Sequence, residues 1–253
     1  MACSKGMTMR AFLSVLLLTA ASVLQAAEIR VLSSTALKST LEELGPQFEK
    51  ATGHKLSAAF APAAELKARI DKGERFDVAV LTTPLMDDLA KHSRIAVGSR
   101  IDVARAGAGV AIKQGAPKPD ISTADAFKKT LLEAKSVAYV GTGATAANIR
   151  GVFERLGIAE EMKAKTRLLS GVGAAHAVAN GEAELGFTQV SEILGVAGAE
   201  LAGPLPPELQ VYTVFPAAGS ASAREPEAAL QFLRFLKTPE AAKLIRAKGM
   251  EPG

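Results

Sequence analysis

An α/β fold of two lobes is what the sequence predicts, and three observations carry that expectation. Short apolar runs alternate with amphipathic helical ones from Ile29 to Lys91, the order that a parallel sheet with helical crossovers demands. The alternation then gives way to one long extended passage over 101–112, which reads as a crossing between lobes. A second alternating set follows from Thr123 to Thr188. The expected division is residues 1–27 as a leader, 28–104 plus 213–253 as the first lobe, and 105–212 as the second lobe with the hinge crossings.

In chain order, residues 29–32 read as a strand, and 37–51 as a helix with Leu37, Leu41, Leu44 and Phe48 on one face, stopped by Gly53. Strand-like runs at 55–60 and 76–81 frame a helix at 63–71, and a short helix covers 85–91. The stretch 114–122 is a Gly/Pro-rich loop that ends the extended passage. The second set comprises helices at 123–132, 146–156 and 174–180, strands at 136–140, 165–169 and 185–188, and a loop over 141–145. Gly203-Pro204-Leu205-Pro206-Pro207 is a stiff connector, and 209–215 is extended. Two closing helices, 226–236 and 239–247, each begin with a proline, as suits a first helical position.

Lys5 and Arg10 are the only charges before Glu28, and the residues from Ala11 to Leu24 are apolar apart from Ser14, Thr19 and Ser22. Closed by Ala26 and Ala27, this has the form of a cleavable secretory leader and is too short for a stable membrane anchor. Export to the periplasm is the expected localisation. Cys3 lies ahead of the apolar run, so the mature chain holds no cysteine, which excludes disulfides, thiolate metal sites and a cysteine nucleophile. Without Lys5 and Arg10 the 30 basic residues fall to 28 against 26 acidic ones, a net charge of +2, too balanced to argue for nucleic acid or a membrane. Neither a cofactor nor a metal is expected.

Ligands on open α/β sheets sit beyond the carboxyl ends of the strands, where Ser33, Ser34, Ala63 and Thr82 fall. The junction after the first strand is the strongest single candidate, because Ser34 or Thr35 can cap a helix whose unpaired N–H groups would hold an anion, with Lys38 one turn in. Against this stands the plain reading that the hydroxyls only cap. In the second lobe, Thr142, Thr145 and Gly173 lie at strand-to-helix turns where backbone N–H groups could cradle an anion. Arg105 on the crossing is either an anion clamp or one half of a hinge salt bridge. Lys67 and Arg69 read as a solvated helix face, and His54 and His92 as surface residues. His176 differs: it lies early in a helix facing the presumed cleft, where a helix start favours the neutral, proton-accepting form. No Ser-His-Asp order, paired carboxylates or His-rich metal spacing points to hydrolysis.

The segments VLSSTALKSTLEELGPQFEKATG, AELKARIDKGERFDVAVLT, GVGAAHAVANGEAELGF and FLRFLKTPEAAKLI, in this order and spacing, resemble the periplasmic solute-binding proteins of the molybdate-binding type. The resemblance implies a type 2 periplasmic binding fold: two Rossmann-like lobes joined by a two-strand hinge, closing on a small anion delivered to the membrane subunits of an ABC importer. It is uneven at the site. Ser33 and Ser34 match the paired hydroxyls of that family, but the loop at 60–64 lacks the serine that its oxyanion binders use. Gln189 stands where they place a tyrosine, and Lys38 where an acidic or amide residue is common. These departures point to a carboxylate rather than a tetrahedral oxyanion.

Three functions compete at this stage. The leading one is a monomeric exported protein that binds one small anion and does no bond chemistry. The second is an isomerase on the same scaffold, shifting a proton on a polycarboxylate such as aconitate, with His176 as candidate base. A sensory module presenting its closed form to a membrane receptor is the third.

Overall fold

The computed structural model describes residues 26–142, 144–170 and 173–253, with Ala144 and Thr145 as backbone only. The leader expected over 1–27 therefore lies outside the described residues up to residue 25. Strand β1 (Glu28–Ser34) ends in a single 3-10 turn, Thr35–Leu37, whose first free N–H, that of Ala36, donates to the Ser34 hydroxyl at 3.4 Å. Helix α1 (Lys38–Thr52) continues from it and stops at Gly53, whose left-handed conformation (φ 77°) lets its N–H donate to the Glu49 carbonyl. Strand β2 (Lys55–Ala61), helix α2 (Ala63–Asp71), strand β3 (Val78–Val80) and helix α3 (Thr83–Lys91) complete the first βα series.

Strand β4 (Ile101–Lys113) organises the rest of the sheet. The second series is α4 (Ala124–Glu133), β5 (Val137–Val140), α5 (Ala144–Arg155), α6 (Ala159–Lys165), β6 (Thr166–Leu169), α7 (Ala174–Ala179), β7 (Leu185–Gln189), α8 (Val190–Leu194) and β8 (Ala199–Pro204). The chain returns through β9 (Tyr212–Gly219), α9 (Pro226–Phe235), α10 (Pro239–Ala247) and the two-residue β10 (Glu251–Pro252). The strands run in the order β2-β1-β3-β9-β4-β7-β5-β6, with β8 and β10 also on β4. β1 is parallel to β2 and β3, and β5 is parallel to β6 and β7, so each half has its own crossover-built sheet.

β4 belongs to both halves. Through Gly107 it pairs with β9; from Ala108 onward it pairs with β7. The change of partner also divides the apolar interior. Phe48 packs on Phe232 with ring centroids 5.1 Å apart on one side of that change, and Phe127 and Phe153 pack on Phe187 at 6.0 and 6.2 Å on the other. A cleft is what remains between two cores that share a strand. This is the mixed α/β, two-lobed architecture of type 2 binding proteins.

One buried carboxylate stitches the first half together. Asp77, at the start of β3, accepts from the Arg30 N–H on β1 at 2.8 Å and from the Arg224 N–H ahead of α9 at 2.7 Å.

Several elements differ from the sequence reading. β3 is half the expected run of 76–81: Asp77 and Leu81 at its two ends still make cross-strand backbone bonds, Asp77 to Arg30 and Ser220 and Leu81 to Pro216, but lie outside the regular ladder. α6 was not expected: only Met162 on it is fully buried, so its seven residues carry no apolar period. β8 was masked by its own Gly203 and Pro204, tolerated there because its one ladder is to β4. α8, five residues long, was likewise missed. His54, expected at the surface, is buried, its Nδ1 accepting from the Ala27 N–H at 3.1 Å. His92 is a surface residue.

Candidate functional site

A cavity of about 480 Å³ opens between the two halves, at the carboxyl ends of β1, β3 and β7. The first half supplies Ser34, Thr35, Lys38, Ser39 and Glu42 from the β1–α1 junction, Ala63 and Ala64 from the start of α2, and Thr82 from the end of β3. The second half supplies Thr142, Gly173, His176, Thr188, Gln189, Ser191 and Glu192. Its size falls within the ~300–1,000 Å³ of small-molecule sites.

The β1–α1 junction faces the cavity because β1 is buried to its last residue and the Ser34 cap turns the chain at once into a helix. Having accepted from Ala36, the Ser34 hydroxyl still has its own hydrogen to donate. Lys38 reaches the cavity too, but not as a free cation: its Nζ is 2.5 Å from Glu42 one turn on, and 5.9 Å from the centroid of the Phe60 ring. α2 begins after Pro62 without a side-chain cap, leaving its first N–H groups at Ala63 and Ala64 for the cavity.

Across the cavity, β7 leads without a break into α8. This puts Gln189, Ser191 and Glu192 on the wall. Gln189 is buried and its amide donates to the Thr213 hydroxyl of β9 at 3.2 Å, tying the second half to the first. Ser191, a residue 2% exposed, is on the lining, and its hydroxyl is buried without a hydrogen-bond partner. Glu192 bridges the halves: it accepts from the Thr35 hydroxyl at 2.7 Å, and its other oxygen accepts from the Thr188 hydroxyl.

Of the residues singled out from the sequence, Ser34, Lys38, Ala63, Thr82, Thr142, Gly173, Gln189 and His176 come together around the cavity. Ser33 is fully buried beneath it, its hydroxyl donating to the Ser34 carbonyl at 3.2 Å. Arg105 is elsewhere: its guanidinium pairs with Glu251 and lies 4.9 Å from the Tyr212 ring centroid, so the structure gives it the hinge salt bridge and not the clamp. The side chain of Thr145 lies outside the described residues, as do Gly171 and Val172. His176 is exposed on α7, a helix of only six residues. Sequence reasoning missed Thr35 as a cavity residue, together with Glu42, Thr188, Ser191 and Glu192. Gln189 was reached through the resemblance, as the residue where that family places a tyrosine; Ser191 and Glu192, two and three positions past the end of β7, could have been found from the rule that ligands sit beyond the carboxyl ends of strands.

Charged side chains on the described lining are Lys38, Glu42 and Glu192, so with His176 neutral the lining carries a formal charge of −1. Donors gather at Ser34, Lys38 and the α2 start, acceptors at Glu192 and the two hydroxyls committed to it. No cluster of three or more metal-ligating side chains occurs among the described residues.

Residues 29–251 match the family of bacterial extracellular solute-binding proteins. The chain belongs to that family. Its relatives include an aconitate isomerase of a Pseudomonas species, 37% identical over 93% of this chain and 94% of its own length. The molybdate-binding protein ModA of Azotobacter vinelandii is 29% identical over 89% of this chain and 90% of its own. Among solved structures, the Azotobacter vinelandii periplasmic molybdate-binding protein superposes with a TM-score of 0.76 at 24% identity, covering 88% of this chain and 98% of that one. As a member of a molybdate-binding-like group, the chain shares one scaffold with relatives that bind and a relative that catalyses. No helix among the described residues is long and apolar enough to cross a membrane.

Proposed function

We propose that this member of the family captures a small organic acid between its lobes, 28–104 plus 213–253 and 105–212, and hands it to an ABC importer. The observation that carries the reading is the cavity of about 480 Å³ walled from both halves, with the Ser34 hydroxyl, Lys38 and the backbone N–H groups at the α2 start as donors on one side of it. A carboxylate rather than a tetrahedral oxyanion suits that volume and the Gln189 and Lys38 positions. Binding to the folded state raises the melting temperature by mass action. A panel of molybdate, sulfate and di- and tricarboxylates should therefore show stabilisation by carboxylates alone; stabilisation by molybdate alone would sink this reading.

The protein acts as an exported monomer in this reading, and the structure supports a choice of cleavage point. Ala27 belongs to the fold, its N–H donating to His54 and its carbonyl accepting from the Lys55 N–H at 2.8 Å, so cleavage after Ala26 preserves both contacts. Intact-mass measurement on exported protein tests it.

A second reading is isomerisation of the bound acid, favoured by two titratable groups on the second-half wall, Glu192 and His176, and by the 37% identical aconitate isomerase. A base there would take a proton from the methylene carbon of an unsaturated tricarboxylate. The double bond would move onto that carbon, and a proton would be returned to the former vinyl carbon, with no net redox change.

A further inference from the structure

The Thr35–Glu192–Thr188 cluster is the feature of the cavity that anion capture alone does not explain. An anion site needs hydrogens pointing inward, and hydroxyls are the usual neutral source. Here both hydroxyl hydrogens are directed away from a ligand, onto the two oxygens of Glu192. Thr35 and Thr188 are left with lone pairs to present, and the carboxylate has acceptor capacity beyond the two bonds it receives. The lining around Glu192, with Thr188 on its own half and Thr35 facing it from the first, is thus acceptor-rich, while Ser34, Lys38 and the α2 start on the first half hold the donors.

Neighbouring charges do not neutralise Glu192. Lys38 is paired with Glu42. On elements packed against α8, Arg105 of β4 pairs with Glu251, Glu200 of β8 pairs with Lys118, and Lys113 lies at the far end of β4 beside Ala199. Lys248 precedes Gly249, which lies against Val190 and Leu194, and pairs with Glu43. His176 is the remaining titratable group on the lining.

Resting on the organic-acid reading, we infer that Glu192 selects ligands by a hydrogen they carry: the acid must present a hydroxyl or ammonium donor beside its carboxylate. The donor meets Glu192 and the two threonine oxygens; the carboxylate meets the first-half donors. A fully deprotonated oxyanion or a plain dicarboxylate offers that wall only lone pairs and negative charge, and is refused on both counts.

Three four-carbon acids of one shape separate the cases: L-malate carries a hydroxyl, L-aspartate an ammonium and succinate neither. Citrate and tricarballylate repeat the contrast at six carbons. Calorimetric titration of the mature protein should give malate or aspartate, or citrate against tricarballylate, at least about tenfold tighter binding than the donor-free acid, as expected for a hydrogen bond to a charged group. Whichever of malate and aspartate wins identifies the donor. Glu192→Gln, which can itself donate, should bring the ratio to near one and admit molybdate. A wild-type ratio near one overturns the inference without any variant, and so does a ratio that survives Glu192→Gln in folded protein. If no acid of either set binds, the organic-acid reading falls and this inference with it, an outcome distinguished by the absence of heat rather than by a changed ratio.

Discussion

Both ends of the Gln210 side-chain amide are bonded to a single residue, Ala108: its oxygen accepts from the Ala108 N–H at 2.9 Å and its nitrogen donates to the Ala108 carbonyl at 3.0 Å. Ala108 is where β4 leaves β9 for β7. The amide bonds β4 at the step between its last pairing with β9, at Gly107, and its first with β8, at Gly109. The fit is close, since a side chain on Gly107 would come within 3.1 Å of the same amide.

Gln210→Ala should therefore leave an N–H and part of a carbonyl unpaired at the hinge, destabilising the protein by about 1–3 kcal/mol. A lowered urea midpoint with unchanged slope is the expected result. Equal midpoints would mean that water replaces the amide fully.

Gly186→Ala should act on the cavity through packing. A Cβ at Gly186 would lie 2.8 Å from the Ala174 carbonyl and 2.9 Å from Val178, so α7 must move away from β7. Overpacking of this kind costs about 1–3 kcal/mol. Because α7 carries His176 and begins at the Gly173 wall, ligand affinity should fall together with melting temperature. Gly151→Ala on α5 is the control: nothing lies within 4 Å of its added Cβ, and a helical glycine replaced by alanine should gain about 0.5–1 kcal/mol.

Much of the frame was legible in the sequence because it rests on periodicity. The 3.6-residue spacing of Leu41, Leu44 and Phe48 gives α1 its buried face, and the unbroken run from Ile101 is the single strand β4. What escaped has a common cause: it depends on a partner far along the chain or on an element too short to show a period. Glu192 sits on five-residue α8, and its partner Thr35 is 157 positions away. Arg105 could be narrowed to clamp or salt bridge, but Glu251, which decides between them, is 146 positions off. The Lys38–Glu42 pair was different. Its i,i+4 spacing was visible, and reading Lys38 as a free cation overlooked it.

Acid should weaken the first half through Glu74. Arg69 donates to it at 2.6 and 2.8 Å and Arg30 at 2.7 Å, and these guanidinium contacts hold its carboxyl down at about 2, from an ordinary 4.5. A carboxylate depressed on folding contributes its stability in full above the ordinary value and loses it as pH falls from about 4.5 towards 2. The pairs are partly exposed, so the contribution is about 1 kcal/mol or less. Urea unfolding of wild type and Glu74→Gln between pH 6 and 2 should show the two curves converging at the acid end; a constant gap would assign the stabilisation to something other than this titration.

Whether the cavity only binds or also moves a proton turns on whether a base reaches a carbon acid of the ligand, and on whether that base can give the proton up again. Each oxygen of Glu192 is already occupied by a hydroxyl donor, Thr35 on one and Thr188 on the other, which aims the carboxylate at the threonines. His176 is exposed on the cavity wall and makes no comparable bond to either threonine. Binding without turnover is therefore the expected outcome. Mature protein incubated with cis- or trans-aconitate in deuterated water, followed by NMR, should show neither isomer formation nor deuterium uptake at carbon, while a carboxylate still raises the melting temperature. Deuterium uptake in wild type would reverse the order of the two functional readings, and the variants would then name the base. Loss of exchange in His176→Ala with ligand stabilisation retained points to the histidine; the same loss in Glu192→Gln, with His176→Ala active, points to the glutamate. Lys38→Ala and Ser34→Ala report on the other wall, where loss of ligand stabilisation without a change in exchange chemistry is the signature of residues that hold the acid and leave its protons alone.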